Sequence, residues 1–516
     1  MSLYENIENV NIENAIVAES LSGDSADTFL KNSDPAETNS HVPSESLRKF
    51  FIEDSDAEDE IIAESLSGDS VDTCLKKNDP AETKSPFTPD SLKDTFIEDS
   101  KGKYQNLNRQ NNINIGLFGF GCVGQGLYDV LRHSQGLKAE IGKICVKDRN
   151  KTRSLDSSNF TFEKNEVLKN DVHNLIVELI DDADAAFEII SRTLLKGKDV
   201  VTANKKTIAD NFELLYRLQL ETGASLLYEG ACAGSIPIIR TLEEYYDNEL
   251  LSGIKGILNG SSNFVLTKME LENLDYNDAL RQAQELGFAE TNPRLDVAGF
   301  DTKYKLCILS AHAFGLILKP DDILNLGIQN ISAFDINYAG NNSIAKNSRV
   351  KLIAKAEKSG SGYKIFVLPH FISKIDALAT VNYEFNGIEV EGVYSDRQFF
   401  AGKGAGSHPT GSAVLSDISA ITYDYKYGYK KLKKRANGEI PDFSNDKQYV
   451  ENDFIIKLYI RYEDKKELAC LEIIDVEEQY SSADNNYIIA NVNFRSLKLL
   501  PEDNQLFICA FEEPVV

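Results

Sequence analysis

From residue 113 onward, short apolar runs alternate with stretches in which apolar residues recur at helical spacing. The run Ile113–Phe118 has the length and composition of a buried strand, and Val123, Leu127 and Val130 fall on one face of the helix that follows. Strands that alternate with helices in this way predict a doubly wound α/β fold with a parallel sheet. The same alternation predicts four further strands and a helix, at Lys143–Val146, Asn174–Ile180, Asp199–Thr202, Ser225–Glu229 and, for the helix, Ala183–Leu195.

Three glycines separate the first strand from its helix in the run GFGCVGQG. In a dinucleotide-binding unit the first glycine permits a tight turn, the second lets the backbone approach a pyrophosphate, and the third lets helix and strand pack closely. The helix N-terminus adds N–H groups and a favourable dipole. The candidates for cofactor binding in this loop are Gly119, Phe120, Gly121, Cys122, Val123 and Gly124. A glycine-rich turn in some other α/β protein is the alternative.

Polar residues follow the ends of the next strands, where open α/β sheets bind ligands. Asp148 suits both hydroxyls of a ribose, whereas Lys147 and its basic neighbours suit a 2′-phosphate, so NAD and NADP both stay open. Thr202 ends the fourth strand and Lys205 follows it, which makes both candidates for the cofactor crevice. The alternative for Lys205 is a solvated loop lysine, since most lysines are exposed.

Charged residues gather before a second apolar helix, expected to start near Asp301. Asp301 and Lys305 are four residues apart and share one helix face, and Glu290 and Asp296 precede them. Such a cluster can bind an ammonium group while the lysine exchanges a proton, but a plain helix ion pair fits equally well. Upstream, the expected strand Leu251–Leu258 ends in Asn259 and Gly260, where the polar side chains either cap the next helix or hold a polar substrate.

Further strands are expected beyond residue 331. One pair flanks LysSerGlySerGly, and a second pair flanks Asn386-Gly387, a strong short hairpin signal. The glycines around Gly404 then return the chain to the nucleotide-binding part and are candidates to approach the nicotinamide. The predicted strands are Val350–Glu357, Tyr363–Leu368, Val381–Phe385, Ile388–Val390, Phe454–Tyr462, Tyr487–Phe494 and Leu506–Phe511, and the basic run at 430–435 is expected to be a linker.

The first 110 residues have a different composition and contain a duplication with a period of 45 residues. They carry 24 Asp and Glu against 10 Lys and Arg, about −14 of the total net charge of −26. Two acidic, Ser-rich copies are too few for a solenoid core, so we expect a disordered extension, with a pair of docking motifs as the alternative.

The overall composition excludes several classes of partner. A net charge of −26 argues against a nucleic-acid surface and against attraction to anionic lipid. No apolar run approaches the length of a membrane span, and no secretory signal is present, so a cytoplasmic protein is expected. The seven cysteines have no CxxC spacing, which favours reduced thiols.

Taken together, the motifs between Ile113 and about Ile421 resemble those of homoserine dehydrogenase. They stand as GFGCVGQG, VVTANKK, YEGACAGSIPII, LNGSSNF, GFAETNPRLDVAGFDTKYKL and GKGAGSHPTGSAVLSDI, in the order and spacing of that family. The resemblance implies hydride transfer between NAD(P)H and L-aspartate 4-semialdehyde, giving L-homoserine for threonine, methionine and isoleucine biosynthesis. It also implies a homodimer or homotetramer.

The resemblance assigns roles residue by residue. Lys305 matches the catalytic proton donor, Asp301 the carboxylate beside it and Lys205 the lysine where nicotinamide and substrate meet. The matched substrate-binding residues are Glu290, Asp296, Asn259 and Gly260. A monovalent cation, usually sodium, matches Glu229 and the carbonyls of Cys232, Gly234 and Ile236. Cys232 stands where valine is usual, which a carbonyl ligand tolerates.

The expected organisation is therefore a Rossmann-type nucleotide-binding domain with an α+β substrate and dimerisation domain. The ranges are 1–110 for the extension, 111–236 with 401–425 for NAD(P) binding, 237–400 for substrate and dimerisation, and 430–516 for a small C-terminal α+β domain. That last domain is either a degenerate amino-acid-sensing ACT unit or a structural appendage, because the turn expected after its first strand is missing. Two alternative functions stay open. One is another Rossmann oxidoreductase that acts on an amino-acid-derived substrate, and the other is an enzyme tethered to a partner by the acidic repeats.

Overall fold

The computed structural model describes residues 113–248, 250–341, 345, 347–435, 443 and 445–512. The acidic extension and both of its repeats lie outside the described residues. Among the described helices, none combines the length and the apolarity that crossing a bilayer requires.

A six-stranded parallel sheet forms the first part of the described chain, with strand order 3-2-1-4-5-6. Its strands are β1 (Ile113–Phe118), β2 (Ala139–Cys145), β3 (Phe160–Thr161), β4 (Leu175–Glu178), β5 (Asp199–Thr202) and β6 (Leu226–Leu227). Its helices are α1 (Cys122–His133), α2 (Lys164–Leu168), α3 (Ala183–Leu195) and α4 (Lys205–Thr222). The order reverses between β1 and β4, and such a switch point opens a crevice at the carboxyl ends of the strands. The expected Rossmann-type architecture is confirmed.

A ten-stranded mixed sheet forms the remainder of the described chain. Its strands are β7 (Leu251–Ile257), β8 (Leu324–Asn325), β9 (Ser348–Ser359), β10 (Gly362–Ser373), β11 (Phe385–Gly392), β12 (Asp396–Lys403), β13 (Ile455–Tyr462), β14 (Ile473–Ser481), β15 (Asn486–Asn493) and β16 (Phe507–Phe511). They follow the order 12-11-7-9-10-16-13-15-14, and β8 pairs with β10. The sheet thus runs without interruption from the substrate region into the C-terminal segment.

Helices cover this second sheet and connect it to the first. They are α5 (Ile238–Arg240), α6 (Gly260–Leu271), α7 (Tyr276–Glu285), α8 (Arg294–Val297), α9 (Phe300–Phe314), α10 (Ala333–Asn341), α11 (Ser407–Ile421) and α12 (Lys430–Arg435). All residues of α9 except Phe300 and Tyr304 are buried, so this helix runs through the core. The hydroxyl of Ser407, at the start of α11, donates to the carbonyl of Cys122 at 2.8 Å, which brings the chain back onto α1.

Three local expectations were wrong. The predicted strand Val381–Phe385 is a loop after the 3₁₀ turn Ala377–Thr380, and the strand β11 begins only at Phe385. Asn386-Gly387 does not form a hairpin turn, because both residues lie inside β11, which pairs with β7 and β12. A Cβ on Gly387 would lie 2.6 Å from Val381 Cγ2, so the glycine serves close packing rather than a turn. The turn instead follows Gly392, where β11 joins β12. The basic run at 430–435 is the helix α12 rather than a linker.

The C-terminal strands form one compact unit within the large sheet. Within the unit, β13, β14, β15 and β16 pair with one another in antiparallel fashion, with 3₁₀ turns at Lys465–Cys470 and Phe494–Leu499 in the two crossover positions. This is the βαββαβ pattern of a ferredoxin-like unit with both helices shortened to single turns. The unit joins the substrate region through parallel pairing of β16 with β10 at His370 and Phe371.

Candidate active site

The glycine loop after β1 has the geometry that a dinucleotide requires. Gly119 has a φ of +93°, and a Cβ there would lie 2.3 Å from the carbonyl oxygen of Leu179. A Cβ on Gly124 would lie 2.5 Å from the carbonyl oxygen of Gly119, whereas nothing lies within 4 Å of a Cβ on Gly121. The first and third glycines are therefore packing requirements, and the second leaves open space beside the start of α1. That space fits a pyrophosphate.

The other loop residues differ in what they present to this space. The Phe120 side chain is buried and packs edge-on against Phe160, with ring centroids 5.4 Å apart, so only its backbone is available to a ligand. Cys122 is exposed, and Val123 is half-buried. No side chain caps the N-terminus of α1, which leaves its first N–H groups free of side-chain partners. Lys147 is exposed just beyond the end of β2.

Thr202 turns its hydroxyl towards the protein interior. The hydroxyl donates to Glu178 Oε2 at 2.6 Å and accepts from the N–H of Asn204 at 2.9 Å. Glu178 is fully buried, and burial raises the pKa of its carboxyl to about 7 although its hydrogen bonds from Thr202 and Ile180 act the other way. Sequence reasoning missed Glu178, because a single acid at the end of an apolar strand gives no distinguishing signal.

Asp301 lies between two lysines that come from different elements. Its carboxylate oxygens lie 2.8 Å from Lys205 Nζ and 2.7 Å from Lys305 Nζ. The Asp301 and Lys305 side chains are each 7% exposed, whereas that of Lys205 is 41% exposed at the mouth of the site. The amide of Asn259 bridges Asp301 at 2.9 Å and Asp296 at 2.8 Å. The structure thus brings together five residues that are spread over about one hundred positions of the sequence.

The charges in this cluster shift one another's protonation. Burial alone would raise the pKa of Asp301, but Lys205 and Lys305 outweigh it and hold that pKa below its usual range. Asp301 in turn raises the pKa of Lys205, with smaller contributions from Asp296 and Glu290. Burial and the Asp301 charge raise the pKa of Asp296. Asp301 therefore stays ionised and keeps Lys205 protonated at neutral pH.

Glu290 lies on the exposed segment between α7 and α8, at the edge of the cluster. Its carbonyl accepts from Gln284 Nε2 at 3.0 Å, and its carboxylate forms no hydrogen bond or ion pair with any residue that the structure describes. The carboxylate is therefore available to a ligand that carries positive charge. Gly260 serves packing, since a Cβ there would lie 2.6 Å from the carbonyl oxygen of Glu384.

Asn386 links the cluster to the glycine-rich return segment. Lys305 Nζ donates to the carbonyl of Leu258 at 2.7 Å, and Asn386 Nδ2 donates to the same carbonyl at 3.1 Å. A Cβ on Gly404 would lie 2.1 Å from Asn386 Nδ2, so this glycine passes directly over the amide. Sequence reasoning missed Asn386 because its pairing with glycine was interpreted as a turn signal.

The turn around Glu229 is buried and rich in backbone carbonyls. The Glu229 carboxylate accepts from the N–H groups of Ile239 and Arg240, both at 2.8 Å, and Asp417 accepts from the N–H of Glu229 at 2.8 Å. The carboxylate is therefore already engaged, and a cation in this turn would take carbonyl oxygens. Gly234 has a φ of +57°, and a Cβ there would lie 2.5 Å from the carbonyl oxygen of Lys403. Cys232 is buried, which raises the pKa of its thiol well above the usual range. In the part of the chain that the structure describes, no group of three acidic, His or Cys side chains has the geometry of a metal site.

This arrangement is suited to reduction of a polar carbonyl compound. The nucleotide crevice and the Asp301 cluster share Lys205, which begins α4 directly after the end of β5. Two ammonium groups supply protons and positive field for a developing alkoxide. The free carboxylate of Glu290 at the edge of the cluster is suited to bind an ammonium group on the same substrate.

Comparison with known proteins gives one consistent result. Family models described as "Homoserine dehydrogenase" and "Homoserine dehydrogenase, NAD binding domain" match residues 237–419 and 119–229. The homoserine dehydrogenase of Bacillus subtilis is 32% identical over 418 residues, 74% of this chain and 95% of that protein. The Lactococcus lactis enzyme is 35% identical over 327 residues, 61% of this chain and 76% of that protein.

Solved structures that resemble this chain are also homoserine dehydrogenases. The crystal structure of a homoserine dehydrogenase from Thiobacillus denitrificans aligns with a TM-score of 0.63 at 26% identity, covering 78% of this chain and 99% of that chain. A hyperthermophilic archaeal homoserine dehydrogenase in complex with NADPH aligns with a TM-score of 0.53 at 27% identity. The alignment covers 61% of this chain and 99% of that chain.

Proposed function

The chain belongs to the homoserine dehydrogenase family, and on that premise we propose how its residues share the reversible NAD(P)-dependent reduction of L-aspartate 4-semialdehyde to L-homoserine. This oxidoreductase reaction belongs to threonine, methionine and isoleucine biosynthesis. The observation that carries the assignment is the Lys205–Asp301–Lys305 cluster at the edge of the nucleotide crevice, in which Asp301 and Lys305 are buried.

Lys305 is the proton donor. Its ammonium is fixed by Asp301 and by the carbonyl of Leu258, and a third N–H remains for the aldehyde oxygen of the substrate. When bound, the nicotinamide supplies or accepts the hydride, which no side chain can do. Asp301 balances the charge of both lysines, and Lys205 places a second positive charge beside the developing alkoxide.

The amino group of the substrate binds at the acidic edge of the cluster. Glu290 has a free carboxylate there, and Asp296 lies between it and Asp301 on the Asn259 amide. Asn259 also caps α6 by accepting from the N–H of Ser262 at 2.8 Å, so capping and substrate positioning are compatible in one residue. Gly260 keeps the start of α6 close to Glu384.

The cofactor's pyrophosphate would be held at the open space beside Gly121. The backbone there would come from Gly119, Phe120, Cys122, Val123 and Gly124, and Gly404 would be near the nicotinamide. The adenosine end of the site suits NADP better than NAD. The Asp148 carboxylate already accepts from the N–H of Asn150 at 2.8 Å, whereas the exposed Lys147 is unpaired among the described residues and is available to a 2′-phosphate. The NADPH bound in the archaeal relative is consistent with this choice.

Three further assignments complete the proposal. A sodium ion would bind the carbonyl oxygens of Glu229, Cys232, Gly234 and Ile236. Bound there, it would stabilise the conformation of that turn. The enzyme is a homodimer or homotetramer joined through the exposed strand β12, whose Phe399 is 39% exposed. It works in the cytoplasm.

The test is initial-rate oxidation of L-homoserine with NADP⁺ and with NAD⁺ by the wild type, Lys305→Met and the control Lys433→Met. Methionine keeps the apolar stem of lysine but has no proton to donate, so we expect Lys305→Met to lose roughly 10²- to 10⁴-fold in kcat. The exposed Lys433 lies on α12, and its variant should match the wild type with both cofactors. Wild-type turnover in Lys305→Met would transfer proton donation to another group. A preference for NAD⁺ would contradict the role of Lys147.

A further inference from the structure

A second polar cavity lies beside the two helices that carry the catalytic lysines. It has a volume of about 210 Å³ and is lined by residues of α4, of α9 and of the segment after α9. The lining residues are Asp210, Phe300, Lys303, Tyr304, Lys319, Pro320 and Asp321. At 100° per residue, Lys303 lies opposite the face of α9 that carries Asp301 and Lys305, whereas Phe300 and Tyr304 lie on its flank. The cavity is therefore separate from the active site but shares its helices.

Lys303 is the unusual residue in this cavity. It is only 6% exposed, yet among the residues that the structure describes none forms an ion pair or a hydrogen bond with its ammonium. Lys303 Nζ lies over the ring of Phe300, 4.9 Å from its centroid. A buried charge normally has a hydrogen-bonded partner, because leaving it unpaired is costly. The cavity thus contains an ammonium that lacks an anion.

Two carboxylates and a second lysine, Lys319, line the same cavity. Asp210 and Asp321 are both exposed and both act electrostatically on Lys303, but neither approaches it closely enough to pair. Asp210 pairs instead with Lys206 at 3.4 Å. The lining therefore presents both signs of charge around one cavity.

We propose that this cavity binds a small α-amino acid, with its carboxylate on Lys303, its ammonium between Asp210 and Asp321, and its side chain against Phe300 and Tyr304. A zwitterion fits both charges of the cavity, whereas an inorganic anion would be repelled by the aspartates and a simple cation by the lysine. Aromatic rings give an apolar wall for a short side chain. The volume is below that of drug-sized sites and suits a ligand of this size.

Two helices connect this cavity to the catalytic centre, so a bound ligand would affect the catalytic residues through both. Lys303 is two residues from Asp301 and two from Lys305 on the buried helix α9. Asp210 lies on α4, whose first residue is Lys205. The bound amino acid is therefore an effector that acts on the position of both lysines, and its binding does not depend on which group donates the proton.

The test is calorimetric titration of the full chain with glycine, L-alanine, L-valine and L-methionine. N-acetyl-L-alanine and L-alaninamide, which each lack one charge, and inorganic phosphate serve as ligand controls. The variants are Lys303→Met, Asp321→Asn and, for the active site, Lys305→Met. We expect at least one amino acid to bind at millimolar concentration and to lose at least tenfold in affinity in both Lys303→Met and Asp321→Asn, but not in Lys305→Met.

Several results would overturn the proposal. Binding that is lost in Lys305→Met and retained in Lys303→Met would place the amino acid in the active site. Phosphate or the N-acetyl derivative binding as well as the parent amino acid would indicate a simple anion site, and no binding by any amino acid would exclude the site. If Lys303→Met does not fold, Asp321→Asn decides, since Asp321 is exposed and its substitution leaves the core intact.

Discussion

The pKa values of two buried carboxylates in this protein are shifted in opposite directions by their surroundings. Asp301 has a lysine ammonium on each side, which keeps its pKa below the usual range despite burial. Glu178 has only a hydroxyl and a backbone N–H as partners, and burial raises its pKa to about 7. Neutral hydrogen-bond donors do not offset the loss of water around a charge as two cations do. Residue type and burial alone therefore do not determine the charge of a side chain in this site.

We expect Glu178→Gln to stabilise the protein at pH 8 but not at pH 4.5. The pKa of Glu178 is about 7 in the folded chain against 4.5 when unfolded, so its contribution to stability falls as pH rises through that interval. Glutamine does not ionise, and the gain at pH 8 is up to about 3 kcal/mol. Urea unfolding at both pH values measures the change in stability. Glu166→Gln is the control, because Glu166 is exposed. An equal difference at both pH values would show that Glu178 does not titrate in this interval.

The β1–loop–α1 element is where sequence and structure agree most closely. Its signal is local, since the apolar run, the three glycines and the helical spacing all lie within about twenty residues. The helix Ala183–Leu195 and the strand Asp199–Thr202 were also placed to the residue, because both have local apolar periodicity and clear boundaries. In each of these elements the chain forms its structure from neighbouring residues.

Two elements were predicted wrongly because distant contacts decide their structure. Asn386-Gly387 has a hairpin composition, but β7 and β12 on either side impose an extended strand. The basic run 430–435 becomes helical where the preceding Tyr429 packs against Tyr216 and His312. In the site, the Asp301–Lys305 pair follows from helical spacing, but the Lys205–Asp301 contact joins residues 96 positions apart and needed the fold.

The three glycines of the loop give a matched pair of substitutions. We expect Gly119→Ala to destabilise the fold, because its φ is +93° and the new Cβ would lie 2.3 Å from a backbone oxygen. Gly121→Ala has open space around its Cβ and should keep the melting temperature, but it should weaken NADP⁺ binding by occupying the space of the pyrophosphate. Thermal unfolding and cofactor titration separate the two effects. Unchanged affinity in a folded Gly121→Ala chain would argue against cofactor binding at this loop.

At the scale of the whole molecule, the reaction centre lies entirely within residues that the structure describes. Every residue assigned to substrate, cofactor or proton transfer lies between Gly119 and Gly404. We expect removal of residues 1–105 to leave kcat and KM for L-homoserine unchanged, although it removes more than half of the net negative charge. Initial rates of the truncated and full-length chains at matched ionic strength measure this. A fall in kcat on truncation would assign the extension a part in catalysis.

The C-terminal unit contacts the substrate region through strand pairing, through a shared apolar cluster and through a buried carboxylate. Asp335 on α10 accepts from Tyr459 Oη at 2.8 Å and from Arg461 Nε at 2.9 Å, and both donors lie on β13. The Asp335 side chain is fully buried and that of Arg461 is 13% exposed, so the pair is shielded from water. Strand pairing between β16 and β10 covers only two residues on each strand. The ion pair is therefore a shielded charged contact between the two parts, beside the strand pairing and the apolar packing.

We expect Asp335→Asn to lower the free energy of unfolding by about 3 kcal/mol, because it leaves the buried guanidinium of Arg461 without its counter-charge. The control is Glu472→Gln in the same unit, since Glu472 pairs with Arg495 at 2.8 Å but both side chains are about half exposed. Loss of that exposed pair should change stability by less than about 1 kcal/mol. Denaturant unfolding gives both values, and hydrogen exchange of the β13 and β16 amides should accelerate only in Asp335→Asn. Equal losses in the two variants would mean that attachment depends on the strand pairing, and the shared sheet would then hold the unit without the Asp335–Arg461 pair.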